Sequence, residues 1–212
     1  MGSGRRGDDE TGRAHVIVGP PGSGKSTQAR RLAERLDLVH LSPGALFREM
    51  ATEDSPLGHR ISDLLARGEL VPDDVTDRVL AERLKAVPAG QGFVLDGYPR
   101  TAAQAEALHR VLADLGRLQP RPVVVRLDVP RDELLRRLRR RRALEGRPDD
   151  TDEVIARRLD MHETETAPVL DALADWTDVV AINGDQPVEA ATDEIVRKLC
   201  AHLGPPAHPR RP

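Results

Sequence analysis

Residues 15–36 read HVIVGPPGSGKSTQARRLAERL, and no other stretch limits the possible folds so sharply. Its first four residues suit a buried strand. Glycines and prolines then force a tight turn, and the chain enters a segment with Ala29, Leu32, Ala33 and Leu36 on one helical face. The turn, Gly19 to Ser26, fits the spacing G-x-x-x-x-G-K-[ST] without a mismatch. Glycines there let backbone N–H groups turn inward, and the helix N-terminus behind them adds partial positive charge, which makes a cradle for phosphate. Lys25 strengthens the reading. Lys and Arg together number 32, yet Lys25, Lys85 and Lys198 are the only lysines. A compact ammonium on a flexible stem reaches β- and γ-phosphates where the rigid fork of Arg does not fit, and the Ser26 hydroxyl would sit near Mg²⁺. A turn that held a basic residue by chance would have drawn Arg from this composition. The G-x-G-x-x-G order of dinucleotide folds is absent.

Around this loop, short apolar runs alternate with helical patterns. Strands are expected at 16–18, 39–41, 92–95, 123–127 and 179–182. Helices are expected at 26–36, from 44 to 50, 58–67, 73–85, 101–115, 131–144, 151–164 and 187–202. Continuous apolar strands between helices predict an α/β fold with a parallel sheet covered on both faces. The length of 212 residues suits one domain, and with aromatics at 2%, Leu, Val, Ile and Ala must fill its core. Residues 1–13 and 204–212 are polar or Pro-rich and read as disordered tails around a domain at 14–203. A net charge of −3 gives no global field for nucleic acid. The single cysteine, Cys200, allows no internal disulfide and suits a reducing compartment. No apolar run reaches membrane-spanning length, and the first 13 residues lack the apolar core of a secretory signal. A soluble, cytoplasmic, monomeric protein is expected, with neither nucleic acid nor membrane as partner.

Candidate site residues lie beyond the loop. The segment GFVLDGYPR, 92–100, is a hydrophobic strand ending in Asp96, whose carboxylate falls at the carboxyl edge of the sheet and could hold a water of a Mg²⁺ shell. Residues 136–142 read RRLRRRR, and most of these arginines would make a solvated basic face. Leu134, Leu138 and Arg141 share one stripe, so Arg141 emerges where the buried face ends. Arg137 is its neighbour one turn earlier, and Arg139 and Arg140 are expected to point away. Arg147 and Arg158 form a further basic pair, suited to the charge of a moving phosphoryl group or, singly, to surface ion pairs with Asp149, Asp150 and Asp152. Arg137, Arg141, Arg147 and Arg158 with Lys25 suit two bound phosphate chains better than one.

With these residues in place, residues 14–202 resemble the adenylate kinase family of nucleoside monophosphate kinases. The resemblance implies a P-loop NTPase three-layer fold with a five-stranded parallel sheet, a helical AMP-binding subdomain at about 42–71 and a short lid at about 142–149. It implies reversible transfer of the terminal phosphoryl group of ATP to AMP, giving two ADP, with Mg²⁺ as cofactor. On the ATP side it implies Gly22, Ser23, Gly24, Lys25, Ser26, Thr27, Arg137, Arg141 and Gln186. On the AMP side it implies Ser42, Arg48, Glu69, Leu70, Val71, Gly97, Tyr98, Pro99, Arg100 and Gln104, with Arg147 and Arg158 at the transferring group. The catalytic set it implies is Lys25, Arg100, Arg141, Arg147, Arg158 and Asp149, with Ser26 and Asp96 holding Mg²⁺ through water. With only Ala143 to Gly146 between Arg142 and Arg147, the lid carries no Cys or His, so a zinc-bearing lid is excluded.

The chain departs from the family pattern at four positions. Ser26 replaces a Gly, Pro43 a Thr that contacts adenine, Ala45 an acidic residue, and Gln186 a basic or polar residue near the ATP base. Gln104 can offer a base edge both an acceptor and a donor, which suits adenine, while Pro43 offers neither a hydroxyl nor an N–H. Adenine is therefore expected first, with looser discrimination. The alternatives are a kinase for CMP, UMP, GMP or a small alcohol, and a nucleotide-binding regulator. A regulator would have no use for the arginine set, and no guanine-reading N-K-x-D occurs.

Overall fold

The computed structural model describes residues 12–145, 151–166 and 168–202. Five parallel strands form one sheet: β1 (Ala14–Val18), β2 (Val39–Leu41), β3 (Phe93–Asp96), β4 (Val123–Asp128) and β5 (Asp178–Asn183), in the order β2-β3-β1-β4-β5. Central β1 pairs Val16 with Leu95 on one side and with Val124 on the other. Every residue of β1 and β3 is buried, as expected where helices cover both faces of a parallel sheet. Arg13, counted with the N-terminal tail from sequence, is also buried, and its carbonyl accepts the Phe93 N–H.

Alternation along the strands sorts the core into two layers. Val16, Val18, Phe93, Leu95 and Val124 face α4 (Asp73–Lys85), α5 (Ala102–Asp114) and α8 (Val169–Ala174), meeting Leu80, Leu84, Leu108, Leu112 and Leu173. Ile17, Val94 and Val125 face α1 (Lys25–Leu36) and α9 (Val188–His202), meeting Ala29, Leu32, Ile195 and Leu199. Gln28 is buried between the latter two helices, its amide donating to the Val188 carbonyl at 3.1 Å and accepting from the Thr192 hydroxyl at 2.8 Å.

Two smaller clusters stand outside the sheet core. Helices α2 (Pro43–Met50) and α3 (Pro56–Ala66) close on Phe47, Ile61 and Val71. Each begins with proline in its first turn, where the missing N–H costs nothing. Helices α6 (Arg131–Glu145) and α7 (Asp152–Met161) pack through Leu134, Leu138, Ile155 and Leu159. Beyond α7 the chain widens into one π-helical turn at His162–Thr166, where a continuous α-helix was expected to 164. Helix α8 went unread in the sequence because VLDALA spans too few residues to show a period. Among the described residues, no helix is long and apolar enough to cross a membrane.

Candidate active site

The phosphate loop leaves the carboxyl end of β1 and runs into α1. Gly22 sits at φ 83°, and a Cβ there would lie 2.9 Å from the Leu138 side chain, so the glycine is what lets α6 close over the loop. The Lys25 ammonium donates to the carbonyls of Gly19 and Pro20, both at 2.7 Å. Lys25 keeps some exposure but is ringed by protein atoms; burial, then the positive charges of Arg100, Arg158 and Arg141, lower its pKa to about 7, against the pull of Asp96. A phosphate bound beside it would add negative charge and favour the charged form of Lys25.

Asp96, at the end of β3, is 4% exposed. Burial alone would raise its pKa. The His40 ring, 3.6 Å away, the Ser26 hydroxyl and the Lys25 charge overcome this and hold it at about 2. The Ser42 hydroxyl also donates to it at 3.1 Å. An ionised carboxylate beside the Ser26 hydroxyl fits the donor chemistry of a Mg²⁺ ion that keeps most of its shell as water and phosphate.

Two cavities open from this centre. The first runs along the phosphate loop to α6 and the start of α9, past Arg136, Arg137, Arg140, Arg141 and Gln186. Arg137 ties α6 to the loop after β5, donating to the Gly184 carbonyl at 3.0 Å. Gln186 donates to the Asn183 carbonyl and to Glu194, both at 2.7 Å. The second cavity lies under α2, α3 and α7 and is walled by Pro43, Phe47, Leu70, Val71, Tyr98 and Gln104. Glu69, on its rim, is held by ion pairs with Arg67 at 3.2 Å and Arg157 at 3.1 Å, and its pKa is lowered chiefly by the Arg67 hydrogen bond. Lys25, Arg48, Arg100 and Arg158 line both cavities, so four cations form the wall between them. The Arg100 guanidinium is anchored on the Gly97 carbonyl at 2.7 Å.

The family model for adenylate kinase matches residues 17–177. The chain belongs to the adenylate kinase family. It is similar to the adenylate kinase of Micrococcus luteus, 42% identical over 184 residues, covering 87% of this chain and 89% of the relative. It is also similar to that of Bifidobacterium longum, 42% identical and covering 89% of this chain and 98% of the relative. Adenylate kinase 1 of a Nostoc species is likewise 42% identical, covering 87% and 97%.

Of the residues singled out by the adenylate kinase resemblance, those on the phosphate loop, Arg137, Arg141 and Gln186 come together in the first cavity. Glu69 to Val71, Gly97 to Pro99 and Gln104 come together in the second. Ser42, expected on the AMP side, instead lines the first cavity, turned to Asp96. Arg147 and Asp149, with the second half of the expected lid, lie outside the described residues. One expectation needs correction. Arg139 does turn away, to an ion pair with Asp152 at 3.1 Å, but Arg140 lines the first cavity. A long side chain on the stripe beside Arg141 still reaches a wide cleft. Sequence reasoning also missed Arg136, His162 and Asp73. His162, in the π turn, lines the second cavity; burial first, then the charges of Lys25 and Arg100, push its pKa down to about 4. A lone His on a helix gives no signal of this. Asp73 supports the second cavity by accepting from the Thr101 hydroxyl and the Gln104 amide, 28 and 31 positions along the chain.

Proposed function

We propose that the enzyme transfers the terminal phosphoryl group of ATP to AMP, giving two ADP, with ATP along the phosphate loop and AMP under α2 and α3. The observation that carries this assignment is the shared wall of Lys25, Arg48, Arg100 and Arg158 between the two cavities. A donor phosphate chain on one side and an acceptor phosphate on the other would both meet these cations. The acceptor oxygen attacks the γ-phosphorus as the bond to the β-phosphate oxygen breaks, and no covalent enzyme intermediate is needed. Fixed cations lower the barrier by meeting charge that spreads over the moving group, and holding both chains in line removes the entropy of a second encounter.

Mg²⁺ would be held through water by Ser26 and Asp96, and it would supply neutralising charge for the phosphate chain. Lys25 exchanges its contacts with the Gly19 and Pro20 carbonyls for phosphate oxygens. Arg137 and Arg141 hold the ATP side, and Arg48 and Arg100 the AMP phosphate. Arg158 spans the transfer point, where Arg147 and Asp149 would join it. The walls of Leu70, Val71 and Tyr98 exclude water from the base, and Gln104 reads its edge. The single cysteine supports a cytoplasmic location.

Steady-state rates with AMP, CMP, UMP and GMP, each against ATP and Mg²⁺, test the assignment. AMP is expected to be the best acceptor, and Pro43→Thr is expected to widen its lead by a few-fold to about tenfold by adding one hydrogen bond. A higher kcat/KM for CMP, UMP or GMP than for AMP contradicts it.

A further inference from the structure

Gln104 is 2% exposed, and both ends of its side-chain amide are bonded within the protein. The Arg100 backbone N–H donates to its oxygen at 2.7 Å. Its nitrogen donates to Asp73 Oδ1 at 2.6 Å, and Asp73 Oδ2 accepts from the Thr101 hydroxyl at 2.7 Å. Asp73 is the first residue of α4, while Gln104 and its cap Thr101 begin α5. The Tyr98 hydroxyl donates to Asp77 at 2.6 Å and lies 3.1 Å from the Gln104 carbonyl.

The two ends of a glutamine amide differ little in shape, so only partners decide which is which. Here they decide without ambiguity. A backbone N–H can only donate, so the end facing Arg100 is oxygen; a carboxylate can only accept, so the end facing Asp73 is nitrogen. Turning the amide over would set N–H against N–H and oxygen against carboxylate in a buried place, and unmade hydrogen bonds there are costly. What remains for the cavity is one N–H and one oxygen lone pair in a fixed order.

We propose that Asp73 is a specificity-determining positioning residue that locks Gln104 in the one orientation matching amino bases and opposing oxo bases. The proposal rests on Gln104 being the reader of the acceptor base. Adenine offers a donor at its 6-amino group and an acceptor at N1, and cytosine offers the same pair at its 4-amino group and N3. Hypoxanthine and guanine offer the reverse, an acceptor at O6 and a donor at N1, as does uracil at O4 and N3. The locked amide therefore sorts amino from oxo bases, while the cavity walls sort purine from pyrimidine. Asn at position 73 could present either an oxygen or an NH₂ group to Gln104, which removes one of the two locks.

The test compares AMP with IMP, which differ only at the edge Gln104 would read. In Asp73→Asn the ratio of kcat/KM for AMP to that for IMP is expected to fall about tenfold, mainly through KM for the monophosphate. The AMP to CMP ratio and KM for ATP are expected to hold within about twofold. A purely structural tie between α4 and α5 would instead lower the melting temperature and leave the AMP to IMP ratio in place, and that result overturns the proposal. If Asp73→Asn does not fold, the wild-type enzyme still decides, because CMP must then outrun UMP as AMP outruns IMP, and UMP equal to or better than CMP overturns the lock. Gln104→Ala separates the two layers of the argument. If it flattens the AMP to IMP ratio and Asp73→Asn does not, the lock fails while the base-reading role stands; if Gln104→Ala also leaves the ratio unchanged, both fail.

Discussion

The two cavities are built by opposite means. The first is made of backbone and charge: a glycine loop at the end of β1, a helix N-terminus, and arginines along α6. The second is made of side chains from separate elements, with a small apolar core of its own in α2 and α3 and a hydrogen-bonded amide that reaches from α5 to α4. A phosphate chain looks the same on every nucleotide, so a rigid cradle serves it. A base must be told from other bases, and that requires donors and acceptors held in a fixed order.

The largest effect expected from this contrast is at Lys25. Lys25→Ala should lower kcat by about a thousandfold or more, about 4 kcal/mol, because it removes a charge met most strongly in the transition state. Thermal unfolding should show the fold intact, since among the described residues the hydrogen bonds of this lysine go to loop carbonyls. Appreciable turnover by the folded variant would break the division of roles.

On the other side, Ile61→Ala should cost about 3 kcal/mol, the range for truncating a buried aliphatic side chain. Ile61 is 1% exposed and belongs to the core of α2 and α3 rather than to the sheet. Hydrogen exchange should therefore quicken in residues 43–66 while β1 and β3 stay protected, and KM should rise for AMP but not for ATP. Equal loss of protection in the sheet would mean that the second cavity has no independent support.

A smaller effect sharpens the electrostatic half of the contrast. Asp96 has a folded pKa of about 2 against an ordinary 3.8. The folded state thus binds its proton less readily than the unfolded state. The stability this contributes is complete above about pH 4 and disappears as pH falls through about 2, amounting to about 2 kcal/mol. Chemical denaturation between pH 6 and pH 2 should show wild type losing that much more than Asp96→Asn. Parallel profiles would mean that Asp96 is not held as an anion.

How much of this could be read from the chain follows the same division. The loop was legible because its information is local: eight consecutive residues carry the turn, the lysine and the hydroxyl. The order of strands and helices was legible because apolar runs and helical periods repeat over enough residues to register. Helix α8 and the π turn after α7 were too short for that. Arg140 escapes a sequence reading because a single helical stripe is narrower than the cleft-facing surface of α6. Asp73 gave no signal, since it looks like any acidic residue in the first turn of a helix, and its meaning comes only when α4 lies beside α5. Gln104 was recognised by position in a family segment, but what fixes its amide could be seen only in three dimensions.

Simultaneous occupancy of both cavities is the claim on which everything else depends. Calorimetry with two adenosines joined by five phosphates measures it directly, because such a compound would span both cavities across the wall of Lys25, Arg48, Arg100 and Arg158. It is expected to bind at least about a hundredfold more tightly than ATP, since one association then secures both halves. An affinity no better than that of ATP would contradict the two-chain site.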